Sequence, residues 1–469
     1  MTQSSVLSPA QRLLTVGLLG LMTAVAFEGL AIPTIMPATV DELGGIELYG
    51  WAFSAFFLTN IVGVTLAGAD ADRRGPGRSF VSGVGLFAAG LLISGLAPSM
   101  PIVIAGRAVQ GLGAGAIGAI VFAVIARAYL PAAMPRMVAL LSSAWVVPGL
   151  VGPALAGLIA EHLDWRWVFL ALIPAVLLMG TAVVRPIARL GPPAFPPRAA
   201  SGRRGIAALA LAAGSALLLA GLSVAQIAIA LTLVLAGGWL AVTAVRRLLP
   251  AGALRAAAGR PAVFALIFLV AFGFFGTETF VPLAVTSVRG STTTIGGLAL
   301  SAAAVTWAIG SWLPARLVDV SRGRIVGLGS AAIAAGIAVT ALVVLPAPPI
   351  AIAAVGWAIA GLGMGFAYST LMLLVLQTAP PGEEGASSAG AQLMFTLGTA
   401  LGAGTAGAIV AVADVSDLPL AAAIAAADVL MLLVVGVGLL IALAGRLPTG
   451  REAAARSTPE AGSGVASPA

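Results

Sequence analysis

The chain has 469 residues, of which 60% are hydrophobic and only 9% are charged. Water-soluble domains carry about a quarter charged residues, so this composition excludes them. The long unbroken apolar runs also differ from the alternating strands of a membrane β-barrel. All 24 basic residues are Arg, no Cys is present, and His162 is the single His. We therefore expect an all-α integral membrane protein without a metal site, a cofactor, a Walker A nucleotide loop or enzyme activity.

Fourteen apolar stretches are each long enough to cross a bilayer as a helix of about 20 residues. In chain order they cover 13–36, 47–69, 80–98, 101–127, 137–161, 165–186, 205–223, 226–245, 262–286, 293–314, 325–345, 349–376, 387–412 and 419–445. The Pro- and Arg-rich stretch after the sixth span indicates a cytoplasmic linker, and the Ser-, Gly- and Ala-rich end of the chain indicates a disordered tail.

The Arg residues fall almost entirely on one side of these spans. Twenty-one lie in alternate loops or in the terminal segments, two (Arg166 and Arg289) lie on the opposite side, and Arg107 lies within a span. Short cytoplasmic loops collect Arg, so we expect both termini in the cytoplasm and the chain in the cytoplasmic membrane of a bacterial-type cell. The basic excess then reflects topology and contact with the lipid bilayer, and we expect no nucleic-acid partner.

Several features recur about 250 residues apart. Glu28 and Glu278 lie at similar depths in the first and ninth spans, and Asp72 has a counterpart at Asp319. The glycine repeats pair Gly111, Gly113 and Gly115 with Gly361, Gly363 and Gly365, and Gly149, Gly152 and Gly157 with Gly398, Gly402 and Gly407. A duplication predicts an N-terminal six-helix half (1–186), a linker with two inserted helices (187–261), a C-terminal six-helix half (262–445) and a tail (446–469). In such repeats the substrate path lies between the halves.

Three local motifs stand out. The loop after the second span carries Gly68, Asp72, Arg73, Gly75 and Arg78. The fourth span contains Arg107, Gln110 and Gly111, in which Arg107 and Gln110 share a helix face because they are three residues apart. The fifth span contains Gly149, Gly152, Pro153 and Gly157. Small residues and Pro can equally serve ordinary helix packing and bending, and the loop can be a simple turn at the basic side.

Together these motifs resemble the major facilitator superfamily, specifically its 14-span drug:proton antiporters. The resemblance implies the major facilitator fold, with two pseudo-symmetric halves plus two inserted helices. It also implies that the loop, with Asp319 in the second half, is a conformational latch, that Arg107 takes part in proton coupling, and that the fifth-span motif is an antiporter signature. Pro148 and Ala156 stand where that signature usually has Gly.

Acidic residues inside the spans are the candidates for proton coupling. A carboxyl group in the bilayer can exchange protons and can also neutralise a cationic substrate. Glu28 lies nine residues before Pro37, as the acid of the resembling exporters does, and is the first candidate. Glu278 and Asp428 follow. The alternative for each is a structural acid paired to Arg or Ser.

The predicted function is proton-coupled export of amphiphilic organic compounds or drugs by alternating access, by a protein we expect to be a monomer. A dedicated metabolite or lipid exporter of the same architecture is the alternative, and a non-transporting receptor would not need buried acids in both halves. Candidates to line the cavity are Asn60, Trp307, Tyr368 and Gln392.

Overall fold

The computed structural model describes residues 11–130, 133–192, 201–224, 226–317, 319–380 and 383–448. These residues form helices, turns and loops, with no strand among them. The predicted tail from residue 449 onward, including Arg451 and Arg456, lies outside the described residues, as does Arg198 in the predicted linker.

Fourteen helices in the described part of the chain are long and apolar enough to cross a membrane. In chain order they are α1 Arg12–Leu43, α2 Ile46–Arg74, α3 Pro76–Gly95, α4 Met100–Ala128, α5 Arg136–His162, α6 Arg166–Ala188, α7 Arg204–Leu222, α8 Ile227–Leu248, α9 Arg260–Val288, α10 Thr293–Trp312, α11 Arg322–Val344, α12 Ile352–Gln377, α13 Glu384–Val415 and α14 Leu420–Leu443. The protein is therefore a multi-pass membrane protein, and each helix corresponds to one predicted span.

The largest difference from the predicted bounds is at the end of α1. The prediction ended this span before Pro37, whereas the helix continues to Leu43 with Pro33 and Pro37 in its interior. Proline is tolerated inside membrane helices because neighbouring helices and side chains satisfy the backbone groups that it leaves free.

The glycine repeat places α4 directly against α2 in the N-terminal half. A Cβ atom at Gly111 would overlap the carbonyl oxygen of Phe56, and one at Gly115 would overlap that of Asn60. Glycine is required at both positions because the two backbones touch.

The same contact recurs between α12 and α10 in the C-terminal half. Here a Cβ atom at Gly361 would overlap the carbonyl oxygen of Ala303, and one at Gly365 would lie 2.5 Å from that of Trp307. These residues follow their N-terminal counterparts by 250 positions in the glycine-bearing helix and by 247 in its partner. The sequence repeat is thus a repeat of helix packing, and the two six-helix halves are pseudo-symmetric.

The inserted helices α7 and α8 form a pair that rests against the junction of the halves. They approach closely at Gly214 and Gly237, where each glycine faces the backbone of the other helix. Leu219 of α7 packs against Leu58 of α2 and Ala400 of α13, so this helix contacts both halves.

The two halves meet near one end of the bundle. We call it the Arg-poor end because only two of the 24 Arg residues of the sequence, Arg166 and Arg289, belong to its loops. The Tyr49 hydroxyl of α2 donates a hydrogen bond to the carbonyl oxygen of Thr279 at 3.2 Å. The Ser54 hydroxyl, also on α2, donates to the carbonyl oxygen of Ala400 at 2.8 Å.

A second set of contacts closes the same end. The Glu161 carboxylate at the end of α5 accepts a hydrogen bond of 2.6 Å from the backbone N–H of Thr294, at the N-terminus of α10. Gly50 and Gly407 bring α2 and α13 into backbone contact, since a Cβ atom at Gly50 would lie 2.6 Å from the Gly407 Cα.

Two side chains nearer the opposite, Arg-rich end, Trp145 and Gln392, are exposed. On α5, a Cβ atom at Gly149 would lie 3.1 Å from the Cβ atom of Ala304 on α10. Trp145 is one turn closer to the Arg-rich end on the same helix face, yet its side chain is 45% exposed. On α13, Gln392 is exposed although the helix is buried from Thr396 to Ala400. The contacts between the halves at Tyr49, Ser54, Gly50 and Glu161 therefore lie toward the Arg-poor end of the bundle.

Candidate functional site

A buried ion pair lies at the centre of the N-terminal half. Glu28, on the third turn before Pro37 in α1, is fully buried, and its Oε1 forms a salt bridge with Nη1 of Arg107 on α4. The Arg107 Nε–H donates to the carbonyl oxygen of Ala52 at 3.1 Å. Its guanidinium carbon lies 4.3 Å from the ring centroid of Phe56. A carboxylate, a carbonyl oxygen and an aromatic face therefore surround the charge, which is the environment that a guanidinium inside a bilayer requires.

Gln110 completes this cluster. Its side-chain oxygen accepts a hydrogen bond from Arg107 Nη1 at 3.2 Å, and its Nε2–H donates to Glu28 Oε1 at 3.4 Å. The predicted shared face of Arg107 and Gln110 therefore meets Glu28. The second carboxylate oxygen, Oε2, is buried without a hydrogen-bond partner among the described residues.

Glu278 occupies the equivalent position in the C-terminal half, with a different partner. Trp357 follows Arg107 by 250 residues, and its indole N–H donates to Glu278 Oε2 at 3.3 Å. The salt bridges found in the described part of the chain do not include Glu278. The acid is thus hydrogen-bonded by a neutral donor where Glu28 is paired with a cation.

Asp428 lies beside this position on α14. Its Oδ1 accepts a hydrogen bond from the Thr277 hydroxyl at 2.9 Å, and both side chains are buried. Asp428 therefore contacts α9 at the residue next to Glu278.

An aromatic cluster extends from the buried Trp357 ring to partly exposed rings on neighbouring helices. Phe274 stacks on Trp357 with ring centroids 4.7 Å apart and is 5.5 Å from Trp307. Four further contacts close a circuit of rings from four helices, which we call the aromatic quartet. They join Phe275 to Trp307 (6.3 Å), Trp307 to Tyr368 (6.1 Å), Tyr368 to Phe395 (4.8 Å) and Phe395 to Phe275 (5.3 Å). All four rings are partly exposed.

The quartet includes two of the four predicted cavity residues. Trp307 and Tyr368 belong to it, and Gln392 lies on the same face of α13 as Phe395, one turn toward the Arg-rich end. Asn60 is partly exposed on α2 in the other half. The sequence prediction missed Phe275, Phe395 and Trp357. The 250-residue offset between Arg107 and Trp357 was the available signal for the last of these.

The sequence model of the protein family "Major Facilitator Superfamily" matches residues 17–403 of the chain. The chain belongs to the Major Facilitator Superfamily. A "Probable multidrug-efflux transporter" of Mycobacterium tuberculosis is 29% identical over 399 residues, covering 80% of this chain and 83% of that protein. An "Uncharacterized MFS-type transporter" of the same organism is 28% identical over 435 residues, covering 86% of this chain and 60% of that protein.

Solved structures of other transporters share the fold. An auto-inhibited POT family peptide transporter matches with a TM-score of 0.62 at 18% identity, covering 97% of this chain and 98% of that one. A bacterial homolog of the human lysosomal transporter Spinster, in an inward-facing and unoccupied conformation, matches with a TM-score of 0.62 at 15% identity, covering 94% and 96%. The family and the fold are those of transporters.

The superfamily loop signature packs against the end of α6. Gly75 adopts a φ of 88°, and a Cβ atom there would overlap the carbonyl oxygen of Gly191. The Arg127 guanidinium donates to the carbonyl oxygens of Leu190 and Gly191 at 2.6 and 3.0 Å, which fixes the same segment. Gly75 is therefore required both by its backbone conformation and by close approach.

Asp70, which the prediction had not chosen, makes two polar contacts near the end of α2. Its carboxylate accepts a hydrogen bond from the Ser79 hydroxyl at 2.7 Å and lies 3.3 Å from Nη1 of Arg74. The predicted latch residues Asp72, Arg73, Arg78 and Asp319 are all exposed at the Arg-rich end, and Gly68 has open space around it.

The fifth-span motif lies within the contact between the halves. A Cβ atom at Gly157 would lie 2.6 Å from the Thr294 Cα. A Cβ atom at Gly297 of α10 would overlap the carbonyl oxygen of Pro153. Gly149 faces Ala304, and Gly152 faces Phe27 of α1. The small residues thus allow α5 to pack against α10 of the other half.

Proposed function

We propose that this protein is a proton-coupled exporter that expels amphiphilic organic compounds or drugs in exchange for inward protons. The observation that carries the proposal is a carboxyl group at an equivalent position within a membrane-spanning helix of each half, fully buried at Glu28 and partly buried at Glu278. Buried acids are costly in a bilayer and mark ion or proton pathways. The multidrug-efflux description of the relative above supports amphiphilic compounds as the substrates.

The transport cycle proposed is alternating access by rocking of the two halves. The distribution of Arg supports a cytoplasmic Arg-rich end, cytoplasmic termini and a place in the cytoplasmic membrane, so that the contacts between the halves lie toward the outside of the cell in this proposal. The contacts of Tyr49, Ser54 and Glu161 form the extracellular closure. In the outward-open state these contacts break, and the loop around Gly75 becomes part of a closure on the cytoplasmic side.

Glu28 is the proposed coupling carboxylate, with Arg107 modulating its proton affinity. Its free Oε2 can accept a proton without rupture of the contacts that Oε1 makes with Arg107 and Gln110. Protonation would weaken the attraction to Arg107 and change the packing of α1 against α4, two helices that move with one half. The proton is thereby linked to the conformational state.

The test is transport by the purified protein in liposomes with an imposed pH gradient. A pH-sensitive dye inside the liposomes reports proton movement when ethidium or a neutral amphiphile of similar size is added. The wild type is expected to move protons when a substrate is present, and Glu28→Gln is expected to abolish that movement. Asp414→Asn, which removes an exposed carboxylate near the end of α13, is the control and should behave as the wild type. Absence of proton movement with every compound, or unchanged coupling in Glu28→Gln, would refute the proposal.

A further inference from the structure

The two halves meet along two seams that are equivalent in the internal repeat. One seam lies between α2 and α13, and the other lies between α10 and α5. Residues of α10 follow their α2 counterparts by 247 positions, and residues of α13 follow their α5 counterparts by 250. A Cβ atom at Gly50 would lie 2.9 Å from the carbonyl oxygen of Ala403, and one at the equivalent Gly297 would overlap that of the equivalent Pro153. The two seams therefore share a backbone contact.

The inserted helix α7 covers the seam between α2 and α13. Its Leu219 side chain packs against Leu58 of α2 and Ala400 of α13, which belong to different halves. A Cβ atom at Gly404 of α13 would overlap the Leu219 side chain. The absence of a side chain at Gly404 thus leaves the space that Leu219 fills, and one residue of the inserted pair touches both halves at once.

Equivalent positions of the two seams differ in exposure. Leu58 and Ala400 are 3% and 0% exposed. Their counterparts at the other seam, Val305 of α10 and Leu150 of α5, are 37% and 53% exposed. The described residues leave these two side chains uncovered, whereas α7 covers the first two. The inserted pair therefore makes two otherwise equivalent seams different.

The polar contacts across the seams differ as well. The Ser54 hydroxyl bonds across the α2–α13 seam to the Ala400 carbonyl oxygen at 2.8 Å. Ser301, the counterpart of Ser54 on α10, is buried, and its hydroxyl has no hydrogen-bond partner among the described residues. The α5–α10 seam has instead the contact of Glu161 with the Thr294 N–H at the helix ends. Glu161 is exposed, so water can replace that contact.

We propose that the inserted pair α7–α8 is a clasp on the α2–α13 seam, which stabilises the conformation with contacts at the Arg-poor end and restricts separation of α2 from α13 more than separation of α5 from α10. Leu219 can pack against both halves only while Leu58 and Ala400 lie side by side. Helices in a bilayer associate through close packing and hydrogen bonds, so separation of this seam loses both. The backbone contact at Gly214 and Gly237 holds α7 against α8.

This inference rests on the rocking of the halves in the proposed function, but it does not depend on proton coupling. It adds a direction to that movement. The uncovered α5–α10 seam is the one that separates more easily, and the covered seam is the one that the clasp returns to contact.

The experiment measures distances across both seams by electron paramagnetic resonance of spin-labelled full-length protein in nanodiscs. The chain has no Cys, so labels can be attached to introduced cysteines. Glu47→Cys with Asp414→Cys spans the α2–α13 seam, and Leu163→Cys with Ile295→Cys spans the α5–α10 seam. All four positions are exposed near the Arg-poor end. The fraction of longer distances is expected to be at least about twofold smaller across α2–α13, and no buried side chain is altered in this comparison.

Substitutions on α7 test the clasp itself. Leu219→Ala is expected to raise the fraction of longer distances across α2–α13 by about threefold or more, because the packing against both halves is lost. Leu219→Met has a similar volume and should restore the distances of the unsubstituted protein. Ser215→Ala is the matched control. Ser215 is fully buried one turn earlier on the same helix face, and its hydroxyl has no partner among the described residues, so its loss should not separate the seam.

The two equivalent serines provide a second matched pair. Ser54→Ala removes the hydrogen bond across the α2–α13 seam and is expected to raise the fraction of longer distances there by about twofold. Ser301→Ala removes a hydroxyl without a partner among the described residues and should change the distances across neither seam.

Equal distance distributions across the two seams would overturn the proposal. An unchanged α2–α13 distribution in Leu219→Ala, or an equal change in Ser215→Ala, would overturn it too. Failure of the export proposal gives a different result. A protein that shows the expected difference between the seams but moves no protons in liposomes would refute export and leave the clasp in place. Proton-coupled export by a protein with equal seams would refute the clasp alone.

Discussion

The buried ion pair between Glu28 and Arg107 predicts that removing both charges destabilises the protein less than removing either one. The two side chains are 0% and 2% exposed, so neither charge can be rehydrated when its partner is lost. Breaking a buried pair from one side costs about 3–5 kcal/mol because an uncompensated charge remains. Arg107→Met leaves the Glu28 carboxylate in that condition, and Glu28→Gln leaves the guanidinium.

The double variant removes the cause of both penalties. Replacing a whole buried pair by neutral side chains of similar volume is often close to neutral. The loss of the hydrogen bond from Arg107 to the Ala52 carbonyl adds about 1 kcal/mol. We therefore expect the double variant to be more stable than either single variant, with a coupling energy of at least about 2 kcal/mol between the two sites.

The assay is the unfolding midpoint of each purified variant in one detergent, followed by intrinsic tryptophan fluorescence. The control cycle is the solvent-accessible pair of Glu42 and Arg166 at the Arg-poor end, where Arg166 Nη1 and Glu42 Oε1 are 2.8 Å apart and the side chains of Glu42 and Arg166 are 49% and 23% exposed. Its coupling energy should stay below about 1 kcal/mol. Additive effects of Glu28→Gln and Arg107→Met would show that the two charges do not compensate each other, and this result would refute the reasoning about the buried pair.

Two further predictions concern glycine positions. Gly50→Val should force α2 away from α13 at Gly407, which breaks a contact between the halves at the Arg-poor end and, in an alternating-access cycle, favours closure at the Arg-rich end. Since the chain has no Cys, the labelling rate of a cysteine introduced by Trp145→Cys reports accessibility toward the Arg-rich end, and it should fall at least threefold. Gly29→Val, at a position with open space, should leave that rate unchanged. Gly75→Ala should destabilise the protein by about 1–2 kcal/mol or more, because its φ of 88° is strained for any residue with a Cβ. Gly68→Ala should not destabilise the protein, because no neighbouring atom lies within 4 Å of a Cβ atom added there. Equal unfolding midpoints for Gly75→Ala and Gly68→Ala would contradict this account.

The sequence alone determined the fourteen spans, their order and the existence of two related halves. In a bilayer every backbone polar group must be satisfied within the helix or barrel, so a long apolar run has essentially one structure available to it. The spacing of Arg107 and Gln110 could also be interpreted, because a shared helix face depends only on the helical period. The 250-residue offset in the sequence corresponds to equivalent helix packing, because Gly111 and Gly361 permit the same close contact in each half.

Only the tertiary structure decided which side chains meet across different helices. The sequence placed Glu28 and Glu278 at similar depths, but helix rotation and packing determine that one faces Arg107 and the other faces Trp357. The aromatic quartet draws one ring from each of four helices, and no periodicity within a helix predicts such a contact. Asp70 rather than Asp72 contacts Ser79 because of how α2 ends at Gly75. Contacts between helices depend on three-dimensional packing, which the pattern of a single helix does not contain.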